Sequence, residues 1–203
     1  MRKVPSIPTP VPRVPGTYGN HGEVERTMAE TVDINELGRS VDPKSLSDEE
    51  LLSTLGTALR DGDPKDVDPS IFARLVKSAS KQQLATVMSS DIRRPVLEAI
   101  FGRMSEFYSS KGAGGNRQVV HWHIKDGATV DSFQTVLHEG TCTVTHGTDE
   151  DPRTALTMPG TEFLKVATNN ANPVTLFMMR KLKVEGDVGF ATALQKMFQI
   201  PSA

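Results

Sequence analysis

The side chains best suited to chemistry crowd into one stretch, where His121, His123, His138, Cys142 and His146 follow one another. Imidazole and thiolate are the usual zinc ligands. His121 and His123 stand two apart, and in a strand that spacing puts both on one face. Val120, Trp122 and Ile124 alternate with them and take the core side, so the two histidines are expected on the exposed outer face. Cys142 shares a face with Val144, the core side, and so does not join them. Attack by Cys142 would need a general base beside it. In a strand, with no helix N-terminus near it, the thiol reads as inert and half-buried. The chain has no G-x-S-x-G, P-loop or G-x-G-x-x-G pattern, and Gly112-Ala113-Gly114-Gly115 precedes a strand where a phosphate cradle precedes a helix. These residues indicate no catalytic group, no metal and no cofactor.

Charge and hydropathy narrow the function further. The 203 residues include 23 basic and 25 acidic side chains, a net charge of −2, without the basic excess of a nucleic-acid binder. No run approaches the ~20 apolar residues of a membrane helix. Met1-Arg2-Lys3 could begin a signal peptide, but Pro5, Pro8, Pro10, Pro12 and Pro15 interrupt the apolar run that should follow. The single cysteine allows no internal disulfide. A cytoplasmic protein is expected.

The elements that position these residues fall into three parts. Residues 1–44 carry prolines and glycines without a helical or alternating period and read as a flexible tail. Its Pro5, Pro8 and Pro12 spacing could also suit a proline-reading module. Residues 45–203 read as a single domain, helical over 45–110, with a sheet and C-terminal helices over 116–200. Ser47 and Glu50 form a capping box ahead of the stripe Leu51, Leu52, Leu55, Ala58 and Leu59. Asp68-Pro69 opens a second helix with Ile71, Phe72, Leu75 and Val76 inward. Ser80 with Gln83 caps a third, and Val96 to Tyr108 holds helical spacing over nearly four turns. After a joint at 111–116 the period becomes two. Val120-Trp122-Ile124, Phe133-Thr135-Leu137, Thr141–His146 and Thr154-Leu156-Met158 predict four strands of an antiparallel meander. Helices follow at Phe163-Leu164-Val166-Ala167 and after Pro173, then a fifth strand at Lys181–Glu185 and a last helix from Val188 to Phe198. The class is α+β, a five-stranded, mainly antiparallel sheet with helices on one face.

Asn172-Pro173, then Lys181-Leu182-Lys183-Val184-Glu185-Gly186-Asp187, then Ala191 and Leu194 resemble the closing signature of the sterol carrier protein type 2 family. The preceding strands fit its order as well: Lys125-Asp126-Gly127 and Glu139-Gly140 end two of them, and Leu156-Thr157-Met158 leads to Phe163-Leu164. The likeness spans about residues 68–200. It implies an apolar tunnel between sheet and helices that holds a fatty acid, a fatty acyl ester or a sterol-like ligand without chemistry. The tunnel residues expected are Trp122, Phe133, Met158, Phe163, Leu164, Ala167, Phe177, Met178, Met179, Leu182, Val184, Phe190, Leu194, Met197 and Phe198. Family members commonly place Gln-Gly before K-L-K, where this chain has Met179-Arg180; Met179 in the tunnel would favour a longer acyl ligand over recognition of a sterol hydroxyl. The C-terminal Pro201-Ser202-Ala203 differs from the Ser-Lys-Leu peroxisomal address.

Five of the eight methionines, Met104, Met158, Met178, Met179 and Met197, fall on the apolar faces at the helix–sheet boundary. Methionine suits surfaces that receive variable apolar partners and equally fills irregular cores. The reading is non-enzymatic lipid binding and transfer, with no nucleic acid or transmembrane segment and with transient membrane contact allowed. Its alternatives are an interaction module with a vestigial tunnel and, last, a metal-dependent enzyme using the strand histidines.

Overall fold

A helical period rules the first half of the chain and an alternating one begins at Gln118. The computed structural model describes residues 34–61, 63, 66–109 and 116–200. The expected tail as far as Asp33, the joint at 111–115 and Pro201-Ser202-Ala203 lie outside the described residues. The helices are α1 (Ile34–Ser40), α2 (Asp48–Asp61), α3 (Pro69–Ser78), α4 (Lys81–Ser89), α5 (Arg93–Gly102) and α6 (Met104–Phe107). The strands are β1 (Gln118–Asp126), β2 (Thr129–His138), β3 (Thr141–His146), β4 (Thr154–Pro159) and β5 (Lys183–Gly186). Helices α7 (Gly160–Ala167) and α8 (Pro173–Met178) stand between β4 and β5, and α9 (Val188–Met197) follows. No helix among the described residues is long and apolar enough to cross a membrane.

The caps read from the sequence are present. Glu50 Oε2 accepts from the Ser47 backbone N–H at 2.8 Å, and the Glu50 N–H donates to Ser47 Oγ at 3.2 Å. Ser80 and Gln83 make a complete capping box on α4. The long stripe from Val96 to Tyr108 is broken at Arg103, which separates α5 from α6. Tyr108 instead forms an isolated β-bridge with Phe198. Part of the expected tail is ordered: α1 and a 3-10 turn at Pro43–Ser45 precede residue 46. Buried Gln83 fixes that turn, its Nε2 donating to the Pro43 and Leu46 carbonyls at 2.6 and 3.1 Å. A seven-residue helix gives too short a period to stand out from a Gly- and Pro-rich neighbourhood.

The sheet order is β3-β2-β1-β4-β5. β1, β2 and β3 form an antiparallel meander, but β4 then crosses to pair in parallel with β1, and β5 lies antiparallel to β4. Here the structure differs from the four-strand meander, because the alternation within a strand fixes its faces and not its neighbour. The β2–β3 turn has Glu139 and Gly140 both at positive φ (46° and 79°), the two-residue geometry that matches strand twist. Trp122, Phe133 and Leu156 lie in register on the inner face, beneath the helices. The class is α+β.

The closing signature has a physical reason at each position. Asn172 caps α8, its Oδ1 accepting from the Val174 N–H at 2.8 Å, and Pro173 takes the first helical position. Leu182 is buried in the core. Asp187 caps α9 by accepting from the Phe190 N–H at 2.8 Å and pairs with Arg153 at 2.6 Å. Gly186 has φ +84°, and a Cβ there would stand 2.4 Å from the Arg153 carbonyl oxygen. Gly186→Ala is therefore expected to cost more than about 1 kcal/mol in a urea titration, through strain and backbone clash together. Gly102→Ala, with nothing within 4 Å of its Cβ, should be neutral or stabilising.

Candidate functional site

The apolar stripes of the helices point at the inner face of the sheet, yet they do not fill the space before it. A cavity of about 650 Å³ lies among α2, α3, α5, α7, α8, α9 and the strands. Its sheet side is Trp122, Leu156, Met158 and Val184. The helices contribute Leu51, Leu55, Leu59, Phe72, Val76, Ile100, Phe163, Leu164, Ala167, Phe177, Ala191 and Leu194 among others. Trp122 is held in place by donating its Nε1–H to Thr135 Oγ1 at 2.8 Å.

Polar side chains on the wall are few. Thr168 donates its hydroxyl to the Leu164 carbonyl at 2.7 Å and Thr192 to that of Val188 at 3.0 Å, so both satisfy their own helices. Arg103 is the one ionisable side chain among the described lining residues. Its Nε pairs with Glu106 at 3.0 Å, its guanidinium donates to the Val67 carbonyl, and its Cζ lies 5.6 Å from the centre of the Phe107 ring. Gln199 also lines the cavity and donates its backbone N–H to the Phe107 carbonyl at 2.7 Å. Arg103 and Gln199 thus flank Phe107, beyond the C-terminal end of α9.

Eleven of the residues expected in a tunnel stand on this cavity: Trp122, Met158, Phe163, Leu164, Ala167, Phe177, Met178, Leu182, Val184, Leu194 and Phe198. Four do not. Phe133 is buried behind Phe101, its ring stacked on it at 4.0 Å. Phe190 is buried under the Arg153 guanidinium, 4.3 Å from its ring centre. Met197 is packed in the core and is not among the residues that line the cavity. Met179 differs most from its expected place, since it ends α8 and is 58% exposed. Leu176 and Leu182 occupy the inward positions on either side of it, and Arg180, at φ +58°, turns the chain between them. A preference for an acyl chain over a sterol hydroxyl therefore cannot be drawn from Met179. The wall supplied by α2 and α3 was read from the sequence only as core; a stripe gives the direction of burial and not what it faces.

The outer face also departs from expectation. His121 and His123 do share that face, but His121 is only 7% exposed and His123 is half-buried. The β3–β4 crossover is tied to this face beside His121: the Glu150 N–H donates to Gln134 Oε1 at 2.9 Å, and the Arg153 N–H to the Val119 carbonyl at 2.8 Å. Gln134 Oε1 also lies 3.3 Å from His121 Nε2, a contact that suits the Nε2–H tautomer. His123 Nδ1 stands 2.9 Å from Ser132 Oγ. Among the described residues no three of His, Cys, Asp or Glu converge as a metal site. Burial pushes the Cys142 thiol up to about 11, so it stays protonated at neutral pH.

The comparisons with known proteins can be set on this geometry. Residues 101–199 match the SCP-2 sterol transfer family. Sterol carrier protein 2 like 2 from Aedes aegypti is 18% identical, with 52% of this chain and 94% of that one covered at a TM-score of 0.42. Sterol carrier protein 2 from Yarrowia lipolytica is 18% identical over 65% of this chain and 92% of that one, TM-score 0.37. The inverting sec-alkylsulfatase Pisa1 from Pseudomonas sp. is 12% identical, covering 91% of this chain and 35% of that one, TM-score 0.47. No curated protein matches the chain.

The outer-face histidines give the fold an acid-sensitive point. His123 takes up its proton below the ordinary value of 6.5, because burial disfavours the charged ring and His121 adds like charge. The unfolded chain then binds more protons in that window, so stability is lost as pH falls from 6.5 through the folded value. His123→Gln should therefore lose less stability than the parent between about pH 7 and pH 5, read as the shift in urea midpoint. Parallel pH profiles would contradict this.

Proposed function

We propose, from the match of residues 101–199 to the SCP-2 sterol transfer family and from the cavity, non-enzymatic binding and intracellular transfer of a lipid with one long apolar chain, a fatty acid or fatty acyl ester. The observation that supports it best is the wall of the cavity, apolar nearly throughout, with a single ionisable side chain among the described lining residues. Small-molecule sites of roughly 300–1,000 Å³ with a few placed polar groups are typical, and about 650 Å³ lies in that range. Burial of apolar ligand surface stabilises by roughly 25 cal/mol per Å². Such a wall rewards length and apolarity and has little with which to polarise a bond.

The cavity also has direction. The 10 residues of α9 run along it from Val188 to beyond Leu194, about 15 Å at 1.5 Å per residue. Arg103 and Gln199 stand beyond its C-terminal end. A ligand with one polar end and a long apolar remainder fits that gradient. The helical part upstream of residue 101 belongs to the binding machinery in this reading, since Leu51, Leu55, Phe72 and Val76 supply wall that the family segment lacks.

Ala191→Trp tests the proposal by taking up cavity volume. If the space holds ligand, displacement of a fluorescent long-chain fatty acid should show affinity lowered at least about tenfold, with little change in melting temperature, because the indole enters open volume. If the space closes up in solution, the same change overpacks it and costs about 1–3 kcal/mol. Met179→Trp, on an exposed side chain, should change neither reading. Tight fatty-acid uptake by Ala191→Trp would refute the placement of the ligand.

A further inference from the structure

The sheet has an edge at β5 and another at β3, and they are finished differently. β5 is a strand of four residues whose exposed Lys183 and Glu185 pair at 3.0 Å. Short length and charge keep an edge from joining a further strand. β3 has neither protection. Thr141-Cys142-Thr143-Val144-Thr145-His146 holds no lysine, arginine, aspartate, glutamate or proline. Its register with β2 runs unbroken from Phe133–His146 to His138–Thr141, with no bulge to turn it aside. Among the described residues no strand lies on its other side.

One contact sets which backbone groups face that open side. The Gly147 N–H donates to the Ser132 carbonyl at 2.8 Å, and bonded pairs alternate along an antiparallel ladder. Thr141, Thr143 and Thr145 therefore turn their backbone groups towards β2. Cys142, Val144 and His146 turn theirs to the open side, N–H and C=O alike. Their side chains share the inner face with Leu137, Thr135 and Phe133, their partners in β2. Thr143 and Thr145 are exposed on the outer face.

We propose that β3 pairs antiparallel with β3 of a second copy of the chain, about a two-fold axis at Val144, joining both sheets into one. In this register Val144 stands opposite Val144 of the second copy, and Cys142 opposite His146. Each of these pairs exchanges both backbone bonds, so every open N–H and C=O from Cys142 to His146 is used. With the axis at Thr143, His146 would instead meet Gly140 in the β2–β3 turn. On the outer face Thr143 meets Thr145, a favourable cross-strand pair. Within the paired span no acid or base stands opposite another, and Glu139 and Asp149 lie beyond its ends. The assembly also closes on itself, because its remaining edges are the charged β5 strands. Self-matching with closure favours a second copy over a foreign strand. No residue of β3 lines the cavity, so the joint does not rest on the carrier reading.

The test is sedimentation equilibrium over a concentration series, read as the dimer dissociation constant. The parent should dimerise in the micromolar range. Thr143→Lys with Thr145→Lys sets lysine opposite lysine on both sides of the axis and should weaken the dimer at least about tenfold. Thr143→Lys with Thr145→Glu sets lysine opposite glutamate in the same register and should restore it. Amide exchange on the parent needs no variant: the Cys142, Val144 and His146 N–H groups should slow as the dimer fills. A parent that stays monomeric, a dimer indifferent to the lysine pair or no rescue by the charge swap overturns the proposal. So does exchange at those amides that is independent of concentration. A dimer dissolved by Met178→Asp, on the exposed side of α8, and not by the lysine pair would place the joint elsewhere and overturn it too.

Discussion

The aromatic stack centred on Phe101 decides how close the helices come to the sheet. Phe101 is fully buried, stacked on Phe133 of β2 at 4.0 Å and on Phe163 of α7 at 5.0 Å, with Trp122 of β1 edge-on at 5.9 Å. Rings in such a group contribute about 0.5–1.5 kcal/mol per pair beyond their burial. More importantly they are rigid. A stack of three rings cannot shorten as an aliphatic contact can, so it acts as a pillar that ties α5 and α7 to the strands and keeps the neighbouring helices from closing on them. The cavity lies beside that pillar, with Trp122 and Phe163 belonging to both.

Ionic ties reinforce the same spacing at its edges. Arg93 at the start of α5 is buried, donating to the Ile124 carbonyl at 2.6 Å and standing 2.7 Å from the Asp131 carboxylate across the end of the β1–β2 hairpin. Glu162 in the first turn of α7 is buried and receives Lys181 at 3.0 Å from the segment before β5. Breaking one partner of such a pair leaves a buried charge and costs far more than the pair contributes. Together these contacts fix α5, α7 and the α8–β5 connection against one another and the sheet.

The sequence was most legible where a local rule acts. Capping boxes at Ser47 and Ser80, the N-cap Asp68 and the inward faces of Trp122, Phe133 and Leu156 follow from spacing alone. Gly186 was legible through the resemblance, and the structure supplies its reason in the Arg153 carbonyl. What escaped depends on long-range choices. The parallel partner of β4, the crossover beside His121, the placement of α1 beside α3 and that of Pro43 against Gln83 are set by packing between distant segments. The site was legible as a set of apolar positions, and the split between filled core and open cavity was not. Phe133 and Trp122 are the same kind of signal in the sequence, yet one is sealed behind Phe101 and the other faces space. Met179 shows the opposite limit: one residue's rotation at a helix end, fixed by Arg180 in the left-handed region, moved it from the interior to the surface.

The central claim is that the volume beside the Phe101 stack is a ligand site. Native mass spectrometry of the protein purified without detergent, followed by organic extraction and lipid analysis of the same sample, tests it most directly. The account predicts a bound mass at one per chain, released as long-chain fatty acid or fatty acyl ester, and exchangeable with an added fatty acid. A protein that flies at its bare mass, extracts without lipid and takes up none when offered it would contradict the account.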